Sequence, residues 1–522
     1  NAVVPCTGFR TKIRTYPQMQ VRCVISVDLN ILSRKKTMNL HPYCLLPLAL
    51  ALLAACQNTV ISRPSSVALP AAFDHAQSTR NSADIAQWWR QWRDPVLDAL
   101  IERGLRKNYD IAIARSRLEE ARAVARLAQA DLGPKVGASA TFMRMDARID
   151  NPLDDRARDA LGRYPQAAVL NRDHFTLEGS SLSGGLNAAW EPDIFGQKRS
   201  DADAARYAAL GAQEQAYGAQ LLVAGDIATH YLQARAAQSR QRAAERSIAV
   251  LKRLTDYVQS RFQAGHLSAY EVEQARAQLS AAQARESTLT AEYAAHVRAI
   301  AVLTGHVPQA FRLAESHSDL LDKLPEAPGG HTPQGMVERR PDIRAAAAQV
   351  QAYAARLASA RADLLPRFSI NFLGQGMIGI DGERSLSGWS SLLSVGLQVP
   401  LLTNGRIQAN IDAADARLKT ALLQYDRTLL QALAEVDTAY HNQNALVRQN
   451  ALLAQAHRQT DKQAADAEKL FRYGGKTLDN VLTARLHEIQ AQENLIAAQL
   501  ARAQTLVGLY KALGGGWQGV DG

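Results

Sequence analysis

Long tracts of the sequence place apolar residues at alternating spacings of three and four, which predicts helices that pack along coiled-coil seams. One tract, from about Gln197 to Phe262, contains no proline. At 1.5 Å per residue, it predicts a helix of roughly 100 Å. Two later tracts keep the seam spacing, with interruptions at Glu286, His296 and Glu493. Their seam positions are Val272, Ala275, Leu279, Ala282, Leu289, Tyr293, Ile300 and Leu303, and then Leu482, Leu486, Ile489, Ile496, Leu500, Ala503, Val507 and Tyr510.

Four shorter segments alternate apolar and polar residues one by one, which predicts β-strands with one apolar face. Each runs for about ten residues, the length that crosses a bilayer at a tilt. Half-buried strands of a water-soluble sandwich are the alternative. Four strands cannot close a membrane barrel and lipid does not tolerate open edges, so several chains would have to share one barrel. The apolar positions are Val136, Ala138, Ala140 and Phe142; Leu182, Leu186, Ala188 and Trp190; Phe368, Ile370 and Phe372; and Leu393, Val395, Leu397 and Val399.

The whole arrangement occurs twice, which indicates an internal duplication. Residues 110–134 match residues 342–366 at an offset of 232, and residues 262–276 match residues 471–485 at an offset of 209. The 23 residues by which the offsets differ predict an insertion in the first copy, within 131–195. Each copy therefore reads helix, strand pair, very long helix, turn, helix.

Composition supports a folded and largely helical protein, with 47% hydrophobic, 21% charged and only 6% aromatic residues. The formal net charge of +10 would suggest nucleic acid as a partner. However, the first 55 residues hold seven lysines and arginines against one acid, which leaves 53 basic and 49 acidic residues in the rest. There arginine alternates with acids and glutamine along helical faces, as on a solvated surface. Nucleic acid is therefore not an expected partner.

The N-terminal region has the features of an export signal. An apolar stretch of about a dozen residues is too short for a permanent transmembrane helix, and it ends in Leu53-Ala54-Ala55-Cys56. This ending resembles the bacterial lipobox and implies cleavage before Cys56, with acylation of its thiol and new amine. Several acyl chains would hold the protein firmly to a membrane. An ordinary signal peptide with a chance cysteine is the alternative.

The residue after this cysteine is Gln57, which by lipoprotein rules implies sorting to the outer membrane. Residues 1–37 are expected to be upstream translation. A start at Met38 gives a compact signal peptide without basic residues at its beginning, and a start at Met19 gives a longer leader that includes them. The cleavage point is the same in both cases. The other three cysteines precede residue 50, so a mature chain would have neither a disulfide nor a thiolate metal cluster.

Five stretches between about residues 85 and 517 together resemble the outer-membrane efflux (TolC-like) family, in the lipoprotein branch that serves resistance-nodulation-division pumps. They are Trp88-Trp89, Trp92-Arg93-Asp94-Pro95-Val96-Leu97, Trp190-Glu191-Pro192-Asp193-Ile194-Phe195-Gly196, Glu338-Arg339-Arg340-Pro341-Asp342-Ile343-Arg344 and Leu509-Tyr510-Lys511-Ala512-Leu513-Gly514-Gly515-Gly516-Trp517.

The resemblance implies a mainly α protein with a small membrane β part. Three copies would form a homotrimeric α-helical barrel topped by a shared 12-strand β-barrel, with four strands from each chain. The channel would sit in the outer membrane, held by its lipid, and extend into the periplasm. Its partners would be a periplasmic adaptor (membrane fusion) protein and an inner-membrane pump driven by protons.

These observations divide the chain into six predicted parts. They are the signal peptide with a spurious upstream extension, 1–55; a lipid-anchored N-terminal segment, 56–107; the first repeat, 108–304, with strands at about 135–146 and 182–195; a linker, 305–338; the second repeat, 339–513, with strands at about 367–378 and 389–402; and a C-terminal tail, 514–522.

By family position, the turns around Gly265 and Gly474 would lie at the periplasmic tip, and loops at about 147–182 and 380–388 would face outside. The implied gate residues are Glu271, Phe471, Lys476, Asn480 and Thr483. Relatives often have aspartate at the last two positions, where a trimer makes rings that select cations. Here such a ring would have to come from Glu271 or Asp479. A solvated helix surface is the alternative for each of these residues.

Two motifs suggest chemistry but are incomplete. Gly475-Lys476-Thr477 lacks the first glycine of a phosphate-binding loop, since Leu470 stands there, and His487-Glu488 is followed by Ala491 where a zinc protease needs a second histidine. We therefore expect no enzyme activity, no metal and no cofactor beyond the lipid. The predicted function is passive export of drugs or other small toxic molecules. The alternatives are the duct of an ATP-driven type I protein secretion system and a non-pore periplasmic coiled-coil adaptor.

Overall fold

The computed structural model describes residues 24–26, 65–74, 76, 85–164, 173–316, 320–381 and 384–517. Cys56 and the proposed start sites lie outside these residues. Among the described helices, none is both long enough and apolar enough to cross a membrane. In chain order the elements are β1 (Val24–Ser26), a 3-10 helix (Trp88–Trp92), α1 (Pro95–Lys107), α2 (Tyr109–Ala130), β2 (Lys135–Asp150), α3 (Asp155–Gly162), β3 (His174–Trp190), α4 (Gln197–Gln263), α5 (Ala269–Leu303), α6 (Pro333–Arg339), α7 (Pro341–Ala362), β4 (Arg367–Asp381), β5 (Arg384–Gln398), α8 (Arg406–Arg472) and α9 (Leu478–Ala512).

The two copies build helices of equal length, which confirms the predicted duplication. α2 and α7 have 22 residues each, α4 and α8 have 67, and α5 and α9 have 35. The predicted long helix from Gln197 to Phe262 is correct to within one residue. The short helix α3 lies in the segment where the first copy was predicted to carry an insertion.

Contacts divide the chain into two compact units. One comprises Asn1–Ile61, Ala125–Ala204 and Ala354–Arg417 and contains the strands. The other comprises Ser62–Val124, Ala205–Tyr353 and Leu418–Gly522 and contains the main hydrophobic core.

The strands form one antiparallel sheet in the order β1-β5-β4-β3-β2. Its register pairs Val136 with Ala188, Ala188 with Phe372, and Phe372 with Leu393. Paired residues of neighbouring strands point to the same face, so the alternating apolar positions of all four predicted strands share one face. Val136 and Leu393 are exposed on that face, at 72% and 42%. An isolated chain thus presents an apolar sheet surface to its surroundings.

The strands differ from the predicted ones at their ends. β3 stops at Trp190 and β5 at Gln398, whereas the predicted strands ran on through Pro192 and Pro400, which have no N–H to donate to a ladder. In the other direction, β2 extends to Asp150, so residues 147–150 are strand and not loop. Apolar and charged residues still alternate beyond Phe142, but they exchange faces there, because Met143 follows Phe142 directly. The three-residue strand β1 on the edge of β5 was not predicted.

The corners where helices enter strands repeat an ion pair. Lys135, the first residue of β2, contacts Asp131 at 2.8 Å, and Arg367, the first residue of β4, contacts Asp363 in the same spacing. The indole N–H of Trp190 donates to the carbonyl oxygen of Leu132 at 3.0 Å and fastens the end of β3 to the first corner. The duplication therefore preserves the corner chemistry as well as the helix lengths.

Four of the five stretches that carry the family resemblance meet in the core of the second unit, and the fifth, residues 190–196, belongs to the first unit. Trp88 stacks on Tyr510 with ring centres 5.3 Å apart. Gly516 has a φ of 99°, and a Cβ atom there would come within 2.8 Å of the Trp88 Nε1 atom. Arg340 is buried and donates to the carbonyl oxygen of Ala512 at 3.0 Å. Packing thus explains these positions of the three motifs that they belong to.

The linker contributes a buried base that makes stability depend on pH. His331 is 5% exposed, and its Nδ1 accepts from Arg339 at 3.1 Å. Burial, and then the charge of Arg339, lower the pKa of His331 to about 4, against about 6.5 in an unfolded chain. Between these values the unfolded state binds more protons, so the stabilisation present above pH 6.5 is lost as the pH falls towards 4.

We expect the free energy of unfolding to drop by up to about 3 kcal/mol over this window because of His331 alone. In a His331→Gln variant that part of the pH dependence should disappear, as measured by denaturant unfolding from pH 7.5 to 4. His266→Gln, at an exposed histidine, is the control and should keep the wild-type slope. An unchanged slope in His331→Gln would contradict the assignment.

Candidate channel gate at the two helical turns

The turns that join the long helices have the same geometry in both copies. Gly265 and Gly474 have φ values of 74° and 76°, a left-handed conformation that favours glycine. The backbone N–H of His266 donates to the carbonyl oxygen of Arg261 at 2.9 Å, and that of Gly475 donates to the carbonyl oxygen of Leu470 at 2.8 Å. These six-residue bonds are the Schellman ending of a helix. Both glycines lie in turns between two helices, and their place at a periplasmic tip stays a prediction.

The first turns of the helices that follow differ between the copies. Ser268 caps α5, and the Glu271 side chain accepts from the Ser268 backbone N–H at 2.9 Å, which completes a capping box. The counterpart of Glu271 at the offset of 209 is Asn480. Thr477 occupies the capping position of α9 but makes no side-chain capping bond. The second hairpin tip is therefore held less firmly than the first.

Replacing Asn480 by glutamate should restore the missing capping box. We expect Asn480→Glu to stabilise the first turn of α9 by about 0.5–1 kcal/mol, because it would satisfy an N-terminal N–H and place a negative charge at the positive end of the helix. Slower hydrogen exchange in residues 478–482 would report this gain. Asn494→Glu, within the same helix, is the control and should leave that exchange unchanged. Equal protection in both variants would contradict the capping explanation.

An arginine joins the two helices of each hairpin near the tip. In the first hairpin Arg276 donates to the side-chain oxygen of Gln259 at 3.0 Å. In the second, Arg485 donates to Glu468 at 2.7 Å, and that bond raises the pKa of Arg485. At the offset of 209, Arg276 corresponds to Arg485 and Gln259 corresponds to Glu468. We call the second pair the Arg485–Glu468 clamp. It differs from the first in being an ion pair.

The two hairpins also contact each other through charged groups. Glu488 and Glu493 on α9 are 3% and 6% exposed. Arg246 on α4 lies 4.0 Å from Glu488, and Arg285 on α5 lies 2.8 Å from Glu493. The predicted seam interruption at Glu493 therefore has a cationic partner on the other hairpin. Burying these carboxylates costs free energy unless they are paired, so the hairpins depend on each other.

The sequence-predicted gate residues occupy different surroundings. Phe471 borders a groove of about 970 Å³ that Tyr257, Val481 and other residues of α4, α8 and α9 line. Lys476, Asn480 and Thr483 are exposed. The last two lie on one face of α9, since they are three residues apart.

Glu271 lies on the other hairpin, on α5, and its carboxylate is engaged in the capping box. The hydrogen bond from the Ser268 hydroxyl holds the pKa of Glu271 below its usual value. Asp479 is half-buried and accepts from Asn480 at 3.4 Å. The Glu271 carboxylate is thus committed to a cap, and the Asp479 carboxylate contacts a side chain of its own helix.

Sequence reasoning missed the residues that hold the tips together, namely Arg485, Glu468, Glu488 and Arg246. One signal was present, because Arg276 and Arg485 belong to the duplicated stretch. The residues that these arginines contact across the hairpin lie on other helices, and nothing in the sequence marks them as partners.

Comparison with known proteins decides the family. The model described as outer membrane efflux protein matches residues 100–306 and 332–515. The chain belongs to the outer membrane efflux protein family. The resemblance predicted from the sequence is confirmed, and with it the function as an outer membrane channel of an efflux system. The family is one of channels, which supports the expectation that the chain is not an enzyme.

Individual relatives of this efflux family match over nearly the full length. The chain is 30% identical to the pyoverdine export outer membrane protein OpmQ of Pseudomonas aeruginosa, over 90% of this chain and 96% of that protein. It is 28% identical to the solvent efflux pump outer membrane protein SrpC of Pseudomonas putida, over 82% and 86%. These relatives are outer membrane efflux proteins, which favours the channel over the periplasmic adaptor.

Solved structures of the efflux family share the fold. The outer-membrane channel OprN is 25% identical, with a TM-score of 0.74 over 88% of this chain and 99% of that one. The Campylobacter jejuni CmeC outer membrane channel is 20% identical, with a TM-score of 0.74 over 89% and 95%. The predicted fold class, mainly helical with a small strand part, is thereby confirmed.

Proposed function

We propose that three copies of the chain assemble into one lipid-anchored duct that conducts small toxic molecules out of the cell. The observation that carries this proposal is the open apolar sheet attached to duplicated 67-residue helices. Within the described residues, β2 has a free edge and β5 is covered only by the three residues of β1. Lipid does not tolerate such edges, and three sheets of four strands would close a 12-strand barrel.

The six parts predicted from the sequence belong to this proposal. Removal of residues 1–55 would take β1 away and free the edge of β5 for the β2 strand of the next copy. Residues 56–107 would carry the anchor, 108–304 and 339–513 the two repeats, 305–338 the connection between them, and 514–522 the tail.

The N-terminal segment supports a tether from Cys56. The hydroxyl groups of Ser65 and Ser66 donate to Asp426 of α8 at 2.6 and 2.7 Å, and the N–H of Asp74 donates to Asp437 at 3.1 Å. The segment therefore follows α8 over three turns. Eight residues lie between Cys56 and Ser65, and the nine steps from one Cα atom to the other can span up to about 30 Å. An acylated Cys56 would thus lie within about 30 Å of the point where Ser65 contacts α8.

The anchor is tested by Cys56→Ser, which should abolish incorporation of radiolabelled palmitate because serine has no thiol to acylate. Whole-cell labelling followed by immunoprecipitation measures this. Ser65→Ala, which keeps the cysteine and loses one bond to α8, should retain the label. Label persisting in Cys56→Ser would refute the lipid assignment.

We propose that the two helical turns meet the periplasmic adaptor and the proton-driven pump. The turns expose apolar and polar groups together, with Tyr473 89% and Tyr270 73% exposed. Exposed aromatic rings are typical of protein-protein contacts. Phe471, Lys476, Asn480 and Thr483 would border the opening, and Glu271 would hold the first tip in shape. Selection of exported compounds would rest with the pump.

The exported class is inferred from the relatives, which are described as exporting pyoverdine or pumping solvents and antibiotics. Deletion of the gene followed by a panel of antibiotics, dyes and solvents tests the proposal. Restored resistance with the wild-type gene is the expected result. Unchanged susceptibility to every compound, together with loss of a secreted protein, would favour the type I secretion duct instead.

Trimer assembly has a separate test. Purified full-length protein should run as a trimer by light scattering and give discrete current steps in a planar bilayer. A monomer without conductance would overturn the channel assembly but not the family.

A further inference from the structure

Two histidines face each other across the first hairpin. His230 of α4 and His296 of α5 have their Nδ1 atoms 3.1 Å apart and their ring centres 5.4 Å apart. Both side chains are half-buried, so solvent and small ions can reach them. In the sequence, His296 interrupts the apolar seam of α5. Nothing in the proposed export function uses this pair.

The spacing of the two nitrogens fits a metal ion. Two imidazole nitrogens bound tetrahedrally to one divalent ion at 2.0–2.1 Å are about 3.3 Å apart. The observed separation needs only a small adjustment. Glu292 lies one helical turn before His296 on the same face of α5, where glutamate and histidine four residues apart are neighbours.

We propose that His230, His296 and Glu292 form a binding site for a divalent transition-metal ion of the Cu²⁺ or Zn²⁺ class. In the hydrogen-bonded pair one ring carries its hydrogen on Nδ1. On binding, that ring changes to its Nε2–H tautomer, so both Nδ1 lone pairs point at the ion and no proton is lost from the pair. Water completes the coordination.

The glutamate is available for this role. Its present partner is Arg240, at a long 3.5 Å, and both side chains are partly exposed, so the bond is weak. Within the described residues, no three histidine, cysteine, aspartate or glutamate side chains already converge as a metal site. The ion would therefore recruit Glu292 by rotation of its side chain.

A bound ion would join α4 to α5 in the first hairpin and so favour the folded state by mass action. Imidazole ligands suit both ions, and Cu²⁺ binds most tightly of the divalent series. This inference is independent of the exported substrate and of trimer assembly, since every contact lies within one hairpin of one chain.

The experiment uses full-length protein in detergent, purified without a histidine tag, and Cu²⁺ as the probe. Electron paramagnetic resonance should show one Cu²⁺ per chain coupled to two nitrogens, and the ion should raise the unfolding temperature reversibly with EDTA. His230→Gln and His296→Gln should each weaken Cu²⁺ binding by about tenfold or more, and Glu292→Gln by less. His266→Gln, at an exposed histidine of the α4–α5 turn, should bind like wild type.

Two results would overturn the site. One is a wild-type spectrum without two-nitrogen coupling, and the other is equal Cu²⁺ affinity in wild type and in His230→Gln. If the histidine variants do not fold, the wild-type spectrum still decides whether two nitrogens bind the ion. The Cu²⁺ affinity of Glu292→Gln, which leaves the histidine pair intact, then tests the carboxylate. An affinity that Glu292→Gln leaves unchanged would remove the carboxylate from the site and leave a two-histidine site.

Discussion

Alanine in place of Arg485 is expected to loosen the second hairpin and make the channel conduct without its partners. The change removes the Arg485–Glu468 clamp and the contact with the buried Glu488 at 3.5 Å. The guanidinium is 28% exposed and Glu468 is 42% exposed, so solvent screening limits the loss to about 1 kcal/mol per chain.

In the proposed trimer the change occurs three times. The summed loss of about 3 kcal/mol corresponds to roughly a hundredfold shift from the closed towards the open state. Open-channel probability in planar bilayers measures this directly, and entry of a large antibiotic into cells provides a second measure. Arg276→Ala is the matched control, because it removes the corresponding bond to the neutral Gln259, together with an ion pair to Glu273 within α5, and leaves the second hairpin intact. If both variants conduct alike, the second hairpin is not the gate.

Loss of Arg340 should have the largest effect on stability. Its guanidinium binds Asp342 at 2.6 Å, Glu435 at 2.8 Å and the carbonyl oxygen of Ala512 at 3.0 Å, and its side chain is 10% exposed. It therefore ties the start of α7 to α8 and to the end of α9. Arg340→Ala leaves the buried carbonyl oxygen of Ala512 without its charged donor, at a cost of about 2 kcal/mol. Asp342 and Glu435, which are 48% and 56% exposed, can turn to solvent and add little to this cost.

The measurement is the thermal unfolding midpoint of the purified protein, together with its abundance in the outer membrane. The unfolding midpoint of Arg340→Lys should fall between those of the wild type and Arg340→Ala. Lysine keeps the positive charge but lacks the planar guanidinium that binds three acceptors at once. Arg90→Ala is the surface control, since Arg90 is 57% exposed and binds Glu102 at 3.4 Å, and it should cost under about 1 kcal/mol. A midpoint in Arg340→Ala equal to that of Arg90→Ala would contradict the central role of Arg340.

The helices could be predicted because their signals are local. The bounds of α4 and of the turns followed from the absence of proline from Gln197 to Phe262 and from the glycines at 265 and 474. The duplication repeats the same signals in the second copy and so supports each prediction twice. The ends of strands were harder to place, because a charged alternation such as that of residues 147–150 is a strand in the structure and a loop by composition.

The site was predicted less completely, because its contacts are not local. Glu493 stood out in the sequence as a polar residue in an apolar seam, but its partner, Arg285, lies 208 residues away on the other hairpin. Family position indicated Glu271 and Asn480 without showing that one completes a capping box and the other leaves it incomplete. The roles of Phe471, Lys476 and Thr483 in gating remain predictions.

The Arg485–Glu468 clamp gives the second hairpin a response to ionic strength that the first hairpin does not share. Dissolved salt shortens the reach of charge-charge attraction to about 10 Å at 0.1 M and about 3 Å at 1 M, and weakens partly exposed ion pairs most. The bond from Arg485 to the facing helix is such a pair, whereas the bond from Arg276 to the facing helix ends on an uncharged amide and its ion pair with Glu273 lies within α5. A rise in external osmolarity that concentrates periplasmic ions would therefore relax one tip of the duct and leave the other as it was.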